Sequence, residues 1–162
     1  MKYFTKLWIL IFLLFTSISS AYEDHHQEEW ELGLSLGYAH LATEDKDGTN
    51  VHLHIMKHLD GEGFEKYFSL GLGLEMIASD ETHYSTMFTI ATHPTEDLTL
   101  AFSPTIEWEK HSTEWENHYA SHFEASYVFD VSEHFHIGPV IGFSTSEEGE
   151  HYTFGLHLGI PL

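Results

Sequence analysis

Along eight stretches of this chain, polar and apolar side chains alternate residue by residue, and beyond residue 21 no stretch holds a helical period. Successive side chains on a strand point to opposite sides of the sheet, so the alternation demands a sheet with two chemically distinct faces. One face is apolar and aromatic. It takes Trp30, Leu32, Leu34, Leu36 and Tyr38 from the first stretch, Leu70, Leu72 and Leu74 from the third, and Phe154, Leu156, Leu158 and Ile160 from the last. The other face carries His52, His54, His58, His83, His93, His118, His122, His136, His151 and His157, ten of the fifteen histidines, together with Glu31, Glu65, Glu75, Glu107, Glu109 and Glu124. It carries no lysine or arginine, so imidazole is the one basic partner its carboxylates have.

Strands are expected at Trp30–Leu41, Thr49–His58, Phe64–Ala78, His83–His93, Leu98–Glu109, His118–Phe129, Phe135–Thr145 and His151–Leu162. The connections between them are short and rich in turn residues, as an antiparallel meander requires. Pro104 and Pro139 fall inside strands. Proline has no N–H to give to a ladder, so each predicts a bulge or a local break.

Residues 1–21 have the layout of a cleaved signal peptide: Lys2 and Lys6, the apolar run Leu7 to Phe15, then small residues ending in Ser19-Ser20-Ala21. The run is too short for a membrane span, so the remainder is expected to be exported. Residues 22–29 form an acidic segment containing His25 and His26, and residues 30–162 form one domain. The chain has no cysteine, which removes disulfides and thiolate metal sites. Its 26 acids against 6 lysines repel nucleic acid and anionic headgroups at long range and concentrate cations. An aromatic content of 15% is too high for a disordered acidic tail.

Volume decides which face is inside. The interior of an eight-stranded barrel is only wide enough to be filled by side chains. The apolar face has far too many large residues for that space. The polar face is interspersed with Gly33, Ser35, Gly37, Ala39, Ser69, Gly71, Gly73, Gly138, Gly142, Gly155 and Gly159, as a narrow lumen needs. Aromatic residues also gather toward strand ends, with Tyr38, Tyr84, Trp108, Tyr119 and Tyr152 at one rim and Trp30, Phe64, Phe129 and Phe135 at the other, like interfacial girdles. The expectation is an all-β, eight-stranded antiparallel up-and-down transmembrane β-barrel, with a soluble barrel of inverted faces as the alternative.

In these traits the chain resembles the small eight-stranded outer-membrane barrels of the OmpA/OmpX type. Its last strand, with Leu158, Ile160 and Leu162 on the lipid side, is similar to their assembly signal, although it ends in Leu rather than an aromatic residue. The resemblance implies a bacterial outer-membrane location, contact with outer-membrane lipid, and a monomer. It also implies that both termini are periplasmic. Some barrels of this architecture act on lipid A, and His83-Tyr84-Ser85 has the His-x-Ser spacing of one such deacylase family. Here both residues fall on the lumen parity, with no acid at a matching lipid-facing position.

Carboxylates inside a barrel need countercharge, because an unpaired buried ion costs several kcal/mol. Without Lys or Arg, three solutions remain: protonated glutamates, protonated histidines, or bound cations. The His-x-His pair at His52 and His54 puts two imidazoles on one face. Imidazole with carboxylate suits Zn, Ni, Cu or Fe. A metal site is expected from His52, His54, His83, His118, His122, His151 and Glu107 or Glu109, and a second from His58, His93, His136 and His157. Such sites would serve metal uptake, efflux or sensing. A purely structural His–Glu network plugging the lumen is the alternative.

Overall fold

The computed structural model describes residues 29–61, 63–111 and 114–162. The expected signal peptide, and all of the acidic N-terminal segment except Glu29, lie outside the described residues. The strands are β1 (Trp30–Leu41), β2 (Lys46–His58), β3 (Phe68–Ala78), β4 (His83–Thr92), β5 (Leu98–His111), β6 (Glu114–Tyr127), β7 (Phe129–Ser132), β8 (Phe135–Ser146) and β9 (Glu150–Pro161). Each pairs antiparallel with its neighbour, and β1 pairs with both β2 and β9, which closes the sheet on itself.

The short β7 is not an extra stave. It continues β6, and both pair with β8 in one register, Ser126 opposite Val140 and then Phe129 opposite Ile137. The interruption lies opposite Gly138 and Pro139, where the Val128 N–H donates instead to the Asp97 carbonyl at 2.8 Å. Pro104 has the same effect elsewhere. Pairing between β4 and β5 lapses after Met87 opposite Thr105 and resumes in register at Ile90 opposite Phe102. Both prolines therefore sit at local breaks in the ladder, and the barrel has eight staves.

Three strand starts differ from expectation by three residues or more, β2 among them, which begins at Lys46 rather than Thr49. Phe64–Tyr67 forms a 3-10 turn rather than the start of a strand, and Glu65 is exposed on it instead of facing the lumen. Two glycines, Gly61 and Gly63, precede this segment and favour a turn over continued alternation. At the other end β6 begins at Glu114, which carries the exposed Trp115 to a ring-centroid distance of 6.0 Å from Tyr84. Trp115 thereby joins Tyr38, Tyr84, Tyr119 and Tyr152 around that rim.

The faces are disposed as the volume argument requires. On the outer wall Leu72 is 60% exposed, Leu74 57% and Phe154 62%, within a continuous apolar belt. Such a belt far exceeds the apolar patches of soluble monomers. His52, His122, His157, Ser69, Ser103 and Ser144 are buried within. The inverted soluble alternative is thus overturned. Both described ends of the chain lie at one mouth, here called the terminal mouth, with the longer connection 59–67. The distal mouth carries the short turns 42–45, 79–82 and 147–149.

Candidate functional site

The lumen is built from three stacked His/Glu layers. Nearest the terminal mouth, Glu31 of β1 sits among four imidazoles. His157 Nε2 is 3.4 Å from Oε1, His54 Nε2 3.6 Å and His136 Nε2 3.7 Å, while His58 Nε2 is 3.8 Å from Oε2. Glycines make the seats for these rings. A Cβ on Gly33 would lie 2.0 Å from His54 Nε2, and one on Gly159 would lie 1.8 Å from His136 Nε2. His93 stands apart, with both ring nitrogens engaged by hydroxyls: Ser69 Oγ at 2.7 Å and Thr99 Oγ1 at 3.1 Å. This layer opens into a cavity of about 460 Å³ lined also by His52, His122 and Glu124.

The middle layer closes the lumen. Glu124 Oε2 accepts from His52 Nδ1 at 3.3 Å and lies 3.8 Å from His122 Nε2. Beside it, Glu75, His122 and His151 each present a donor atom within 4.8 Å of the others. All three residues are buried, at 4%, 2% and 7% exposure. Asn50 Nδ2 donates to Glu75 Oε1, but Glu75 Oε2, both His122 nitrogens and His151 Nε2 have no hydrogen-bond partner. Buried polar atoms are nearly always paired, so three residues each presenting one unpaired donor atom to a common point are a strong anomaly.

At the distal mouth, His83 Nδ1 is 2.7 Å from Glu109 Oε1 and His118 Nε2 is 3.5 Å from the same oxygen. His83 Nε2 lies 3.8 Å from Glu44 Oε1, and Glu44 also holds Lys46 at 2.7 Å. This layer borders a cavity of about 320 Å³ lined by Glu81, Glu107, Glu148, Glu150 and His151. Glu107 accepts from Ser144 Oγ at 3.1 Å.

Neither a protein-family model nor a curated protein matches the sequence. Solved structures do resemble it. The crystal structure of Neisserial surface protein A superposes with a TM-score of 0.59 at 6% identity, over 82% of this chain and 96% of that one. A de novo designed transmembrane β-barrel matches at TM-score 0.50 and 13% identity, over 85% and 100%. The Yersinia pestis attachment invasion locus protein, Ail, matches at TM-score 0.50 and 16% identity, over 82% and 98%. The fold is that of the small eight-stranded outer-membrane β-barrels.

Within that barrel the expected first ligand set is dispersed over all three layers. His83, Glu109 and His118 meet at the distal mouth; His122 and His151 meet at the middle, with His52 adjoining through Glu124; His54 belongs to the terminal layer; Glu107 bonds a serine. Of the expected second set, His58, His136 and His157 converge on Glu31, and His93 does not. Glu31, Glu75 and Glu124, inward by parity, hold the layers together, although no spacing in the sequence marks them as ligands. Glu44 lies in a turn where alternation carries no information.

The middle trio has the donor chemistry of a transition-metal site. Two ligands about 2.1 Å from a tetrahedral ion stand roughly 3.4 Å apart. The Glu75 Oε2 to His151 Nε2 distance of 3.8 Å is close to that spacing. The distal trio of Glu44, His83 and Glu109 and the terminal trio of Glu31, His136 and His157 meet the same proximity.

Proposed function

We propose that this protein is a bacterial outer-membrane barrel, monomeric in the bilayer, whose lumen binds divalent transition-metal ions such as Zn, Ni, Cu or Fe. The likeness to outer-membrane barrels and the apolar outer wall support the location and the lipid contact. The metal reading rests on one observation: Glu75, His122 and His151 bring orphaned donor atoms together in a buried layer, on a strand face whose parity carries no Lys or Arg. A divalent cation would take one donor atom from each residue and supply the missing countercharge. The reading is of a binding protein rather than a hydrolase acting on lipid A, because His83 and Ser85 are both buried in the lumen, away from lipid.

The test is calorimetric titration of zinc and nickel into detergent-refolded full chain. Saturable binding is expected, weakened about tenfold or more when one ligand is removed in Glu75→Gln. Zinc affinity unchanged after His52, His54, His118 and His122 are all replaced by Ala would refute it. The terminal layer favours a second, structural role for the same chemistry, since four imidazoles already surround Glu31. Glu31→Gln is therefore expected to lower stability even in metal-free buffer.

A further inference from the structure

We propose that the Glu75–His122–His151 group is a two-sided transit site, through which a divalent transition-metal cation crosses the barrel by stepwise ligand exchange. This rests on the metal-binding reading and extends it from holding an ion to passing one.

The first support is access. His151 lines the distal cavity, whereas His122 lines the terminal cavity. The layer that separates the two chambers is therefore made of ligands that face both. An ion held there is reachable from either side with no backbone rearrangement, which a site placed only for storage does not need.

The second support is spacing. Two imidazoles on one ion place their ring centroids about 5 Å apart at the tetrahedral angle and roughly 6.5 Å apart when they face each other across it. Ring centroids in the lumen follow that interval: His151 to His122 is 6.4 Å, His122 to His52 is 6.1 Å, and His52 to His54 is 5.1 Å. Carboxylates bridge the same steps. Glu75 lies beside His151, Glu124 lies between His122 and His52, and Glu31 receives His54 and His157. A cation leaving one ligand pair thus finds the next before it stands uncoordinated, which avoids the large cost of a bare charge in a low-dielectric interior.

The third support is the closed lumen itself. Eight strands leave no continuous water channel, and Met87, 1% exposed, fills part of the interior. A hydrated ion cannot pass. Magnesium keeps its waters and prefers oxygen ligands, so it is rejected, while an ion that trades water for imidazole is admitted. At the distal mouth Glu44, Glu81, Glu109, Glu148 and Glu150 raise the local cation concentration.

The experiment uses the full chain refolded into phosphatidylcholine vesicles that enclose a zinc-sensitive dye. External zinc is expected to enter about tenfold faster than in protein-free vesicles, magnesium to enter no faster, and Glu75→Gln and His122→Asn to lose the acceleration. Asp60→Asn, in the turn after β2, keeps it. Folding of each variant is checked by heat-dependent gel mobility. Zinc entry equal to that of protein-free vesicles, with zinc still bound in calorimetry, overturns transit and leaves the binding reading standing. Absence of zinc binding in calorimetry overturns both. Equal acceleration of zinc and magnesium, or folded Glu75→Gln and His122→Asn proteins that conduct like wild type, also overturns transit. If neither variant refolds, the wild-type ratio of zinc to magnesium entry decides alone, a ratio near one overturning the proposal.

Discussion

Placing one cation on the outer wall tests the orientation on which every other conclusion rests. Leu72 occupies the middle of β3, 60% exposed, flanked across the ladder by Ile55 and Phe88. It lies four residues from Phe68, the nearer strand end. At about 3.4 Å per residue and a tilt of about 40°, that is roughly 10 Å from the rim. A guanidinium at that depth reaches headgroups only by thinning the bilayer. Leu72→Arg is therefore expected to lower the free energy of unfolding by about 2–4 kcal/mol in bilayers, and Val131→Arg, at the terminal rim, by only about 0–1 kcal/mol. Urea titrations of both variants in phospholipid vesicles measure the difference. On a water-facing wall the same exposed Leu→Arg change would cost within about 0.5 kcal/mol. A value that small for Leu72→Arg would refute the membrane-spanning orientation, and with it the inward facing of the His/Glu layers.

Three further outcomes follow from the geometry. Zinc affinity should fall steeply as pH drops from about 7.5 to about 5.5, because ligation needs neutral imidazole and protons compete for it near the ordinary histidine value of about 6.5; calorimetry showing pH-independent affinity would exclude histidine ligands. Gly155→Val should destabilise the barrel by about 1–3 kcal/mol in the same urea assay, since a Cβ there lies 2.4 Å from the Leu36 carbonyl oxygen, which is backbone and yields little; wild-type stability would show that β1 and β9 are not so close. At the distal rim, the Tyr38 hydroxyl and His40 both bond the Asp47 carboxylate and hold its pKa below the usual range. That contribution is present above the ordinary aspartate value and is lost as pH falls through the lowered one. Tyr38→Phe should raise the Asp47 titration toward about 3.9, followed by NMR; an unmoved titration would remove the bond.

Alternation along the chain determined the strands, the facing of each side chain and the polar character of the lumen, because side-chain direction in a strand is set locally, one residue at a time. Trp30–Leu41 and the inward placement of His52 and His54 were legible in that way. Where glycines and prolines override the local rule, as at Phe64–Tyr67 and opposite Pro104, the pattern misleads or marks only a break. Partners across the lumen are another matter. That Glu31 gathers His54, His58, His136 and His157, and that Glu75 meets His122 and His151, depends on closing β1 against β9 and on the stagger of the staves around the axis. Those are relations between residues up to more than a hundred positions apart, which periodicity does not encode. The tertiary structure alone decided which carboxylate faces which imidazole.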